Sequence, residues 1–184
     1  MSRNYKFHDQ DRPYFVTFTV VNWIDVFTRR DYKDILLDSL KFCMANKGLE
    51  LHAWVIMSNH VHLIIGTNDK PMQDILRDLK RHTSKTIIKA IEDNPQESRK
   101  EWMLYQFEHA GKYNPNNERY QFWQQGNHPI ELWSKHVIDQ KLNYIHNNPV
   151  TAGWVDLPEY YLYSSARDYA NIKGLLDVDL LFWI

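Results

Sequence analysis

Two β-prone runs, Leu49–Met57 (LELHAWVIM) and His60–Ile65 (HVHLII), are separated only by Ser58 and Asn59. A two-residue polar link between such runs signals a tight antiparallel hairpin, so this part of the chain is committed to a sheet. His60 and His62 open the returning strand with Val61 between them. Alternate side chains of a strand share a face, so both imidazoles point the same way. Their Cα atoms are then roughly 6.6–6.8 Å apart, within reach of one divalent ion. Two nitrogen ligands do not complete a site, and a further donor has to come from elsewhere in the fold.

The other elements read outward from this hairpin. Tyr14–Val21 (YFVTFTVV) is β-branched and aromatic with an alternating pattern, and is expected as the first strand. A helix opens at Asp31 and runs to about Asn46, with Ile35, Leu36, Leu40, Phe42 and Cys43 near helical spacing and Lys47-Gly48 as its stop. After a turn bracketed by Gly66 and Pro71, the series Met72, Ile75, Leu76, Leu79, Ile87 and Ala90 marks a second helix to about Glu92. Residues 93–119 are polar, broken by Pro95 and Pro115, and carry Asn114, Asn116 and Asn117; they read as a long excursion with some helix around Trp102–Phe107. Tyr120–Gln125 is expected as the last strand. The turn Gly126-Asn127-His128-Pro129 then leads to a third helix from about Ser134 to Asn147. The order βαββαβ with one appended helix is that of a ferredoxin-like, or RNA-recognition-like, α+β fold with an antiparallel sheet. At 184 residues and 43% hydrophobic content the chain suits a single domain, residues 1–184, with a C-terminal tail from about residue 154 in which Trp154 and Trp183 pack.

Charge narrows the partners. Lys and Arg number 22 against 23 Asp and Glu, a formal net charge of -1, which excludes coating of duplex DNA through bulk electrostatics and leaves room only for a localised nucleic-acid site. Cys43, the single cysteine, cannot form an intramolecular disulfide and is expected as a small core residue, in keeping with a cytoplasmic protein. Met1–Lys6 lacks a signal-type apolar stretch, and no run approaches the ~20 apolar residues of a membrane span, so no membrane partner is expected.

The best complement to the histidine pair is the segment Lys141-Leu142-Asn143-Tyr144-Ile145-His146-Asn147-Asn148-Pro149. Tyr144 and Asn148, four apart, share one helix face and can approach the same ion together. Pro149 disfavours helical geometry at Asn148, which places that residue at the helix end. His146 points about 200° away from Tyr144 and is expected to be structural or to face DNA. This set suggests covalent catalysis, with an ionised tyrosine attacking a phosphodiester and a metal polarising the phosphate. Two imidazoles and an amide oxygen leave coordination positions open, which suits Mg²⁺ or Mn²⁺ bound together with a phosphate. Three tightly held nitrogens or thiolates would favour zinc instead.

The motifs Met57-Ser58-Asn59-His60-Val61-His62 and Tyr144-Ile145-His146-Asn147-Asn148-Pro149, in this order and spacing, resemble those of the REP-associated tyrosine transposases of the single-tyrosine HUH, IS200-like group. The resemblance extends from the strand at Tyr14 through Tyr161-Leu162-Tyr163-Ser164-Ser165-Ala166. It implies a ferredoxin-like sheet presenting the histidine pair, and an appended helix supplying the nucleophile and the third ligand. By position these are His60, His62, Tyr144 and Asn148. It also implies cleavage and rejoining of single-stranded DNA beside hairpins of repetitive extragenic palindromes through a 5'-phosphotyrosine, by a monomer or a homodimer. Related insertion-sequence transposases usually carry glutamine as the third ligand, so the shorter Asn148 is a departure.

Helix two carries Arg77, Arg81, Lys85 and Lys89 at four-residue steps, flanked by Lys80 and His82, a basic stripe able to follow a phosphate backbone and diluted by Asp74 and Asp78. Tyr120, Phe122, Trp123 and Trp133 offer rings on which unpaired bases could stack. Two other readings remain open on the residues alone: a non-catalytic nucleic-acid binder on an RNA-recognition-like fold, and a zinc hydrolase using His60 and His62 with an acidic ligand that the sequence does not place.

Overall fold

The computed structural model describes residues 7, 9–112 and 119–181; Met1–Lys6, Asn114, Pro115, Asn116, Asn117 and Trp183 lie outside the described residues. Strands β1 (Tyr14–Thr19), β2 (Leu49–Ile56), β3 (His60–Thr67) and β4 (Ile130–Glu131) form one antiparallel sheet in the order β2-β3-β1-β4. The hairpin turns at Ser58-Asn59, where Met57 N–H donates to the His60 carbonyl. Helices α1 (Arg30–Lys47) and α2 (Met72–Asp93) connect the strands, giving the expected ferredoxin-like order. Gly48 ends α1 with a left-handed φ of 70°, the geometry that glycine adopts without cost.

The sheet carries a core on each face. Val16, Phe18, Val61, Leu63 and Ile65 point toward α1 and α2, where they meet Leu36, Leu40, Leu76, Leu79 and Ile87. Phe15, Ala53, Val55, Met57 and Ile64 form the second face, covered by Ile138, Leu142 and Ile145 of helix α4 (Lys135–Thr151). A register shift between Leu51 and Ala53 switches the alternation of β2, so Leu51, Trp54 and Ile56 all join the first core while Ala53 and Val55 join the second. His52, the residue inside the shift, holds the C-terminal segment through its Nδ1, 2.8 Å from the Asp179 carbonyl. Cys43 is buried in the first core as expected.

Three expectations are corrected. The last strand is not Tyr120–Gln125 but the two-residue β4, paired with Tyr14 and Phe15. The earlier segment contributes one bridge, Trp123 to Val20, because Phe122 and Trp123 turn inward against Phe27 instead of alternating across a sheet. The excursion after α2 contains a full helix, α3 (Lys100–Lys112), anchored by buried Met103 and Phe107. Helix α4 runs through Pro149 to Thr151, so Asn148 is helical and not terminal. Proline removes only its own N–H donor so near the end, and the Asn148 and Pro149 carbonyls accept from Ala152 and Trp154.

After α4 the chain crosses to β2. Ser165 N–H donates to the Trp54 carbonyl and Ile56 N–H to the Tyr163 carbonyl, laying Tyr163–Ser165 along the outer edge of the strand before the short helix α5 (Ala166–Tyr169). Trp154, expected to pack in the tail, remains 44% exposed beside Tyr161.

Candidate active site

The sequence spacing of His60 and His62 becomes a shared face, with ring centroids 4.7 Å apart at the end of the sheet next to the hairpin turn. Both rings are held from behind. His62 pairs across the sheet with Thr17, whose Oγ1 lies 2.8 Å from His62 Nδ1. His60 Nδ1 donates to Asn59 Oδ1 at 2.7 Å. Each contact engages Nδ1 and holds its ring from that side, with Nε2 on the opposite side of the imidazole.

Helix α4 brings the other two residues to the pair. Ile138, Leu142, Ile145 and Pro149 bury on its sheet side. That seating sets Lys141, Tyr144 and Asn148 along the flank beside the imidazoles. The Tyr144 ring stands edge-on to His62, with centroids 5.1 Å apart, and to Phe15 at 5.9 Å, while the residue is 50% exposed. The Asn148 amide is hydrogen-bonded to His60. All four expected site residues therefore meet within one chain.

The electrostatics favour neutral rings. Burial lowers the His60 pKa, with the Asn148 bond opposing, and burial followed by the charges of His60 and Lys141 lowers that of His62 to about 3. Neutral imidazoles are the metal-binding form. His62 Nε2 is buried with no hydrogen-bond partner, the one ring nitrogen of the pair left with an unmet capacity that a cation would satisfy. Among the described residues no group of three or more His, Cys, Asp or Glu side chains converges, and the Asn148 amide is the further polar side chain bonded to the pair. Two nitrogens and an amide oxygen fit an ion that keeps open positions for a phosphate.

The family described as "Transposase IS200 like" matches residues 13–110, more than half of the 184-residue chain. The chain belongs to the IS200-like transposase family. That match contains β1, β2, β3 and the histidine pair and ends before α4, so Tyr144 and Asn148 lie outside it. Among solved structures, a REP-associated tyrosine transposase bound to a REP hairpin shares the fold of this transposase, with a TM-score of 0.66 at 17% identity over 100% of this chain and 95% of that one. A candidate transposase from Deinococcus radiodurans is 22% identical over 80% of this chain and 95% of its own, with a TM-score of 0.43. No curated protein matches the chain. No helix among the described residues is long and apolar enough to cross a membrane.

The basic stripe of this transposase is divided by its neighbours. Arg77 is paired with Asp74 and Asp78, and Lys89 with Asp93. Lys80 turns inward: its Nζ donates to the carbonyls of Gln124 and Gly126 and to Asn127 Oδ1, pinning the 120–129 segment, and burial lowers its pKa to about 8. Arg81 and Lys85 stay exposed on the outer face of α2. Trp123 does not offer a stacking surface, because it is 5% exposed, stacked on Phe27, and committed through its indole N–H to Thr83 Oγ1. Phe122 is buried as well and Tyr120 donates to Glu92, which leaves Trp133 as the exposed member of that group.

His146 is structural: its Nε2 lies 2.9 Å from Ser165 Oγ, and burial lowers its pKa to about 4. Three neighbours of the site escaped sequence reasoning. Thr17 is found only through the cross-strand register. Lys141, whose Nζ sits 4.8 Å from the Phe15 centroid and 5.7 Å from that of Tyr144, was signalled only by its place three residues before the tyrosine. Trp23 lies far off in sequence, with its ring 6.2 Å from that of His60. Asn22 and Trp23 take left-handed φ values of 54° and 56°, a conformation that costs a bulky residue about 1–3 kcal/mol.

Proposed function

We propose that this transposase cleaves and rejoins single-stranded DNA beside a hairpin through a covalent 5'-phosphotyrosine on Tyr144. The observation that carries the reading is the meeting, in one chain, of two neutral imidazoles, one with an unsatisfied buried Nε2, a half-exposed tyrosine beside His62 and the Asn148 amide bonded to His60. Tyr144 Oη, after losing its proton, attacks the phosphorus of a phosphodiester. A bond forms between Oη and phosphorus, the bond from phosphorus to the 3' oxygen breaks, and that oxygen leaves as a hydroxyl after taking up a proton. The reverse attack by a 3'-hydroxyl on the phosphotyrosine rejoins the strand with no external energy source.

His60, His62 and Asn148 would hold Mg²⁺ or Mn²⁺, which when bound polarises the scissile phosphate. Thr17 and Asn59 fix the orientations of the two rings, and Phe15 stacks beneath His62 at 5.3 Å with planes 23° apart. Lys141, whose charge faces the rings of Phe15 and Tyr144, supplies a cation for a non-bridging phosphate oxygen. The clustering within one chain supports catalysis by a single subunit acting on its own bound strand. A relative of the same fold was solved bound to a REP hairpin, and we assign hairpin backbone contact here to the exposed Arg81 and Lys85 on α2.

The test is covalent capture of a hairpin-bearing single-stranded oligonucleotide in Mg²⁺ or Mn²⁺, read as a denaturation-resistant protein–DNA species. Native protein forms the adduct and Tyr144→Phe forms none; an adduct with Tyr144→Phe would remove the nucleophile assignment. His60→Ala and His62→Ala abolish cleavage while DNA affinity is largely kept, and undiminished cleavage by either in Mn²⁺ would remove the metal assignment.

A further inference from the structure

Trp23 is the largest exposed aromatic side chain next to the histidine pair, and the fold presents it with no packing return. It is 61% exposed, although its ring stands only 6.2 Å from that of His60 with planes 67° apart, so the indole reaches the imidazole pair while most of its surface is left to solvent. The backbone beneath it is left-handed at two consecutive positions, Asn22 and Trp23, where glycine would be at ease and tryptophan is not. The turn is nevertheless firmly held. Trp23 N–H donates to the Val20 carbonyl, the Trp23 carbonyl accepts from Asn59 Nδ2 at 3.1 Å, and Asn22 Nδ2 donates to Gln106 Oε1 of α3.

Asn59 makes this placement specific to the site. Its Nδ2 holds the Trp23 carbonyl while its Oδ1 accepts from His60 Nδ1. One amide therefore ties the imidazole of an expected metal ligand to the backbone of the residue that carries the exposed indole. An exposed aromatic ring on a hydrogen-bonded turn, within one nucleotide's reach of the proposed phosphate-handling centre, suits a nucleobase, since every base offers a π face and stacking tolerates any sequence.

We propose that Trp23 is a stacking platform for an unpaired base of the nucleotide adjoining the scissile phosphate. This subsite rests on the reading of the histidine and tyrosine cluster as a centre for single-strand cleavage. It fixes the strand on the hairpin-turn side of His60, while Tyr144 approaches from α4 next to His62. Stacking sets the position of the phosphate without selecting a sequence, so the base identity at this nucleotide has only a mild effect on binding.

The experiment uses the full-length protein and a hairpin oligonucleotide whose single-stranded flank has been selected for binding from a randomised library. Affinity is measured in the Tyr144→Phe background, so that no strand is consumed, with an abasic residue placed in turn at each flank position. Trp23→Ala weakens binding of the intact strand by about tenfold and Trp23→Phe by much less. One abasic position weakens the Trp23 protein by a similar factor and has no further effect in Trp23→Ala. Equal affinity of Trp23→Ala and the parent, or abasic losses that multiply in full with Trp23→Ala at every position, would overturn the proposal. Trp23→Gly separates folding from binding: the left-handed backbone is relieved, so its thermal midpoint is unchanged or higher while affinity falls as for alanine. Native protein that fails to form an adduct while the abasic interaction persists overturns the cleavage reading alone; an adduct with additive abasic losses overturns the stacking subsite alone.

Discussion

Lys141 shows how much of this site depends on single side chains that no motif names. Its ammonium sits over two aromatic rings in a neighbourhood of neutral imidazoles, so in the proposed reaction a phosphate would meet a positive charge already in place. Lys141→Met is expected to slow adduct formation by roughly a hundredfold at saturating DNA, with Lys141→Arg restoring a large part of the rate. Single-turnover capture of the oligonucleotide measures this, and a methionine variant as fast as native protein would leave the lysine with a packing role only. His60, His62, Tyr144 and Asn148 were legible because each pair obeys the period of its own element, two residues on a strand and four on a helix. Thr17 and Trp23 were not, since the first reaches His62 through strand register and the second reaches His60 through a turn outside both motifs. Trp123 and Lys80 misled for a related reason: an aromatic beside a basic helix reads as a binding surface until the Thr83 hydroxyl and the Gln124 carbonyl are found to occupy them.

At the level of elements, the hairpin and the two long helices followed directly from periodicity, and the edge of the sheet did not. Tyr120–Gln125 carries the stronger strand pattern, yet the two-residue β4 does the pairing, because a run that short has no period to detect and is specified by its partner Tyr14–Phe15. Helix α4 carries Tyr144 and Asn148, and the C-terminal segment braces it. Ser165 Oγ accepts from Trp54 N–H at 2.9 Å and lies 2.9 Å from His146 Nε2, so one buried hydroxyl ties the helix, β2 and the tail together. Ser165→Ala leaves both partners without that oxygen and is expected to cost about 1–3 kcal/mol, read as a lower denaturant midpoint with little change in slope. Adduct formation well below the melting transition is retained, because neither the imidazole pair nor Tyr144 is touched by Ser165. A stability equal to native would mean that water replaces the hydroxyl.

Across the whole molecule, a buried carboxylate joins the helices on the far side of the sheet. Glu97 accepts from Arg29 at 2.6 Å, from the Arg99 N–H at 3.2 Å and from the Tyr32 hydroxyl at 3.3 Å, with its side chain 2% exposed. Burial works to raise its pKa, but the Arg99 N–H and the Arg29 and Arg99 guanidiniums outweigh it and hold it below the usual 4.5. A carboxylate depressed in the folded state stabilises at pH values above its unfolded pKa, and that contribution fades as pH falls below about 4.5 through the lower folded value. Glu97→Gln should therefore lose about 1.5–3 kcal/mol at neutral pH, and the gap from native protein should close under acid. Thermal melts of both proteins across that range check the sign; a gap that is constant with pH would assign the loss to shape and not to charge.

The strap formed by Tyr163–Ser165 has a consequence beyond bracing. A four-stranded sheet whose outermost long strand lay bare would offer a row of unmet amides and carbonyls to any other extended chain. Here Ile56 N–H and the Trp54 carbonyl are already taken by the strap, while at the opposite margin β4 is too short to register a newcomer. The chain's own tail thus acts as a guard against edge-to-edge polymerisation, which keeps the sheets of neighbouring copies from fusing.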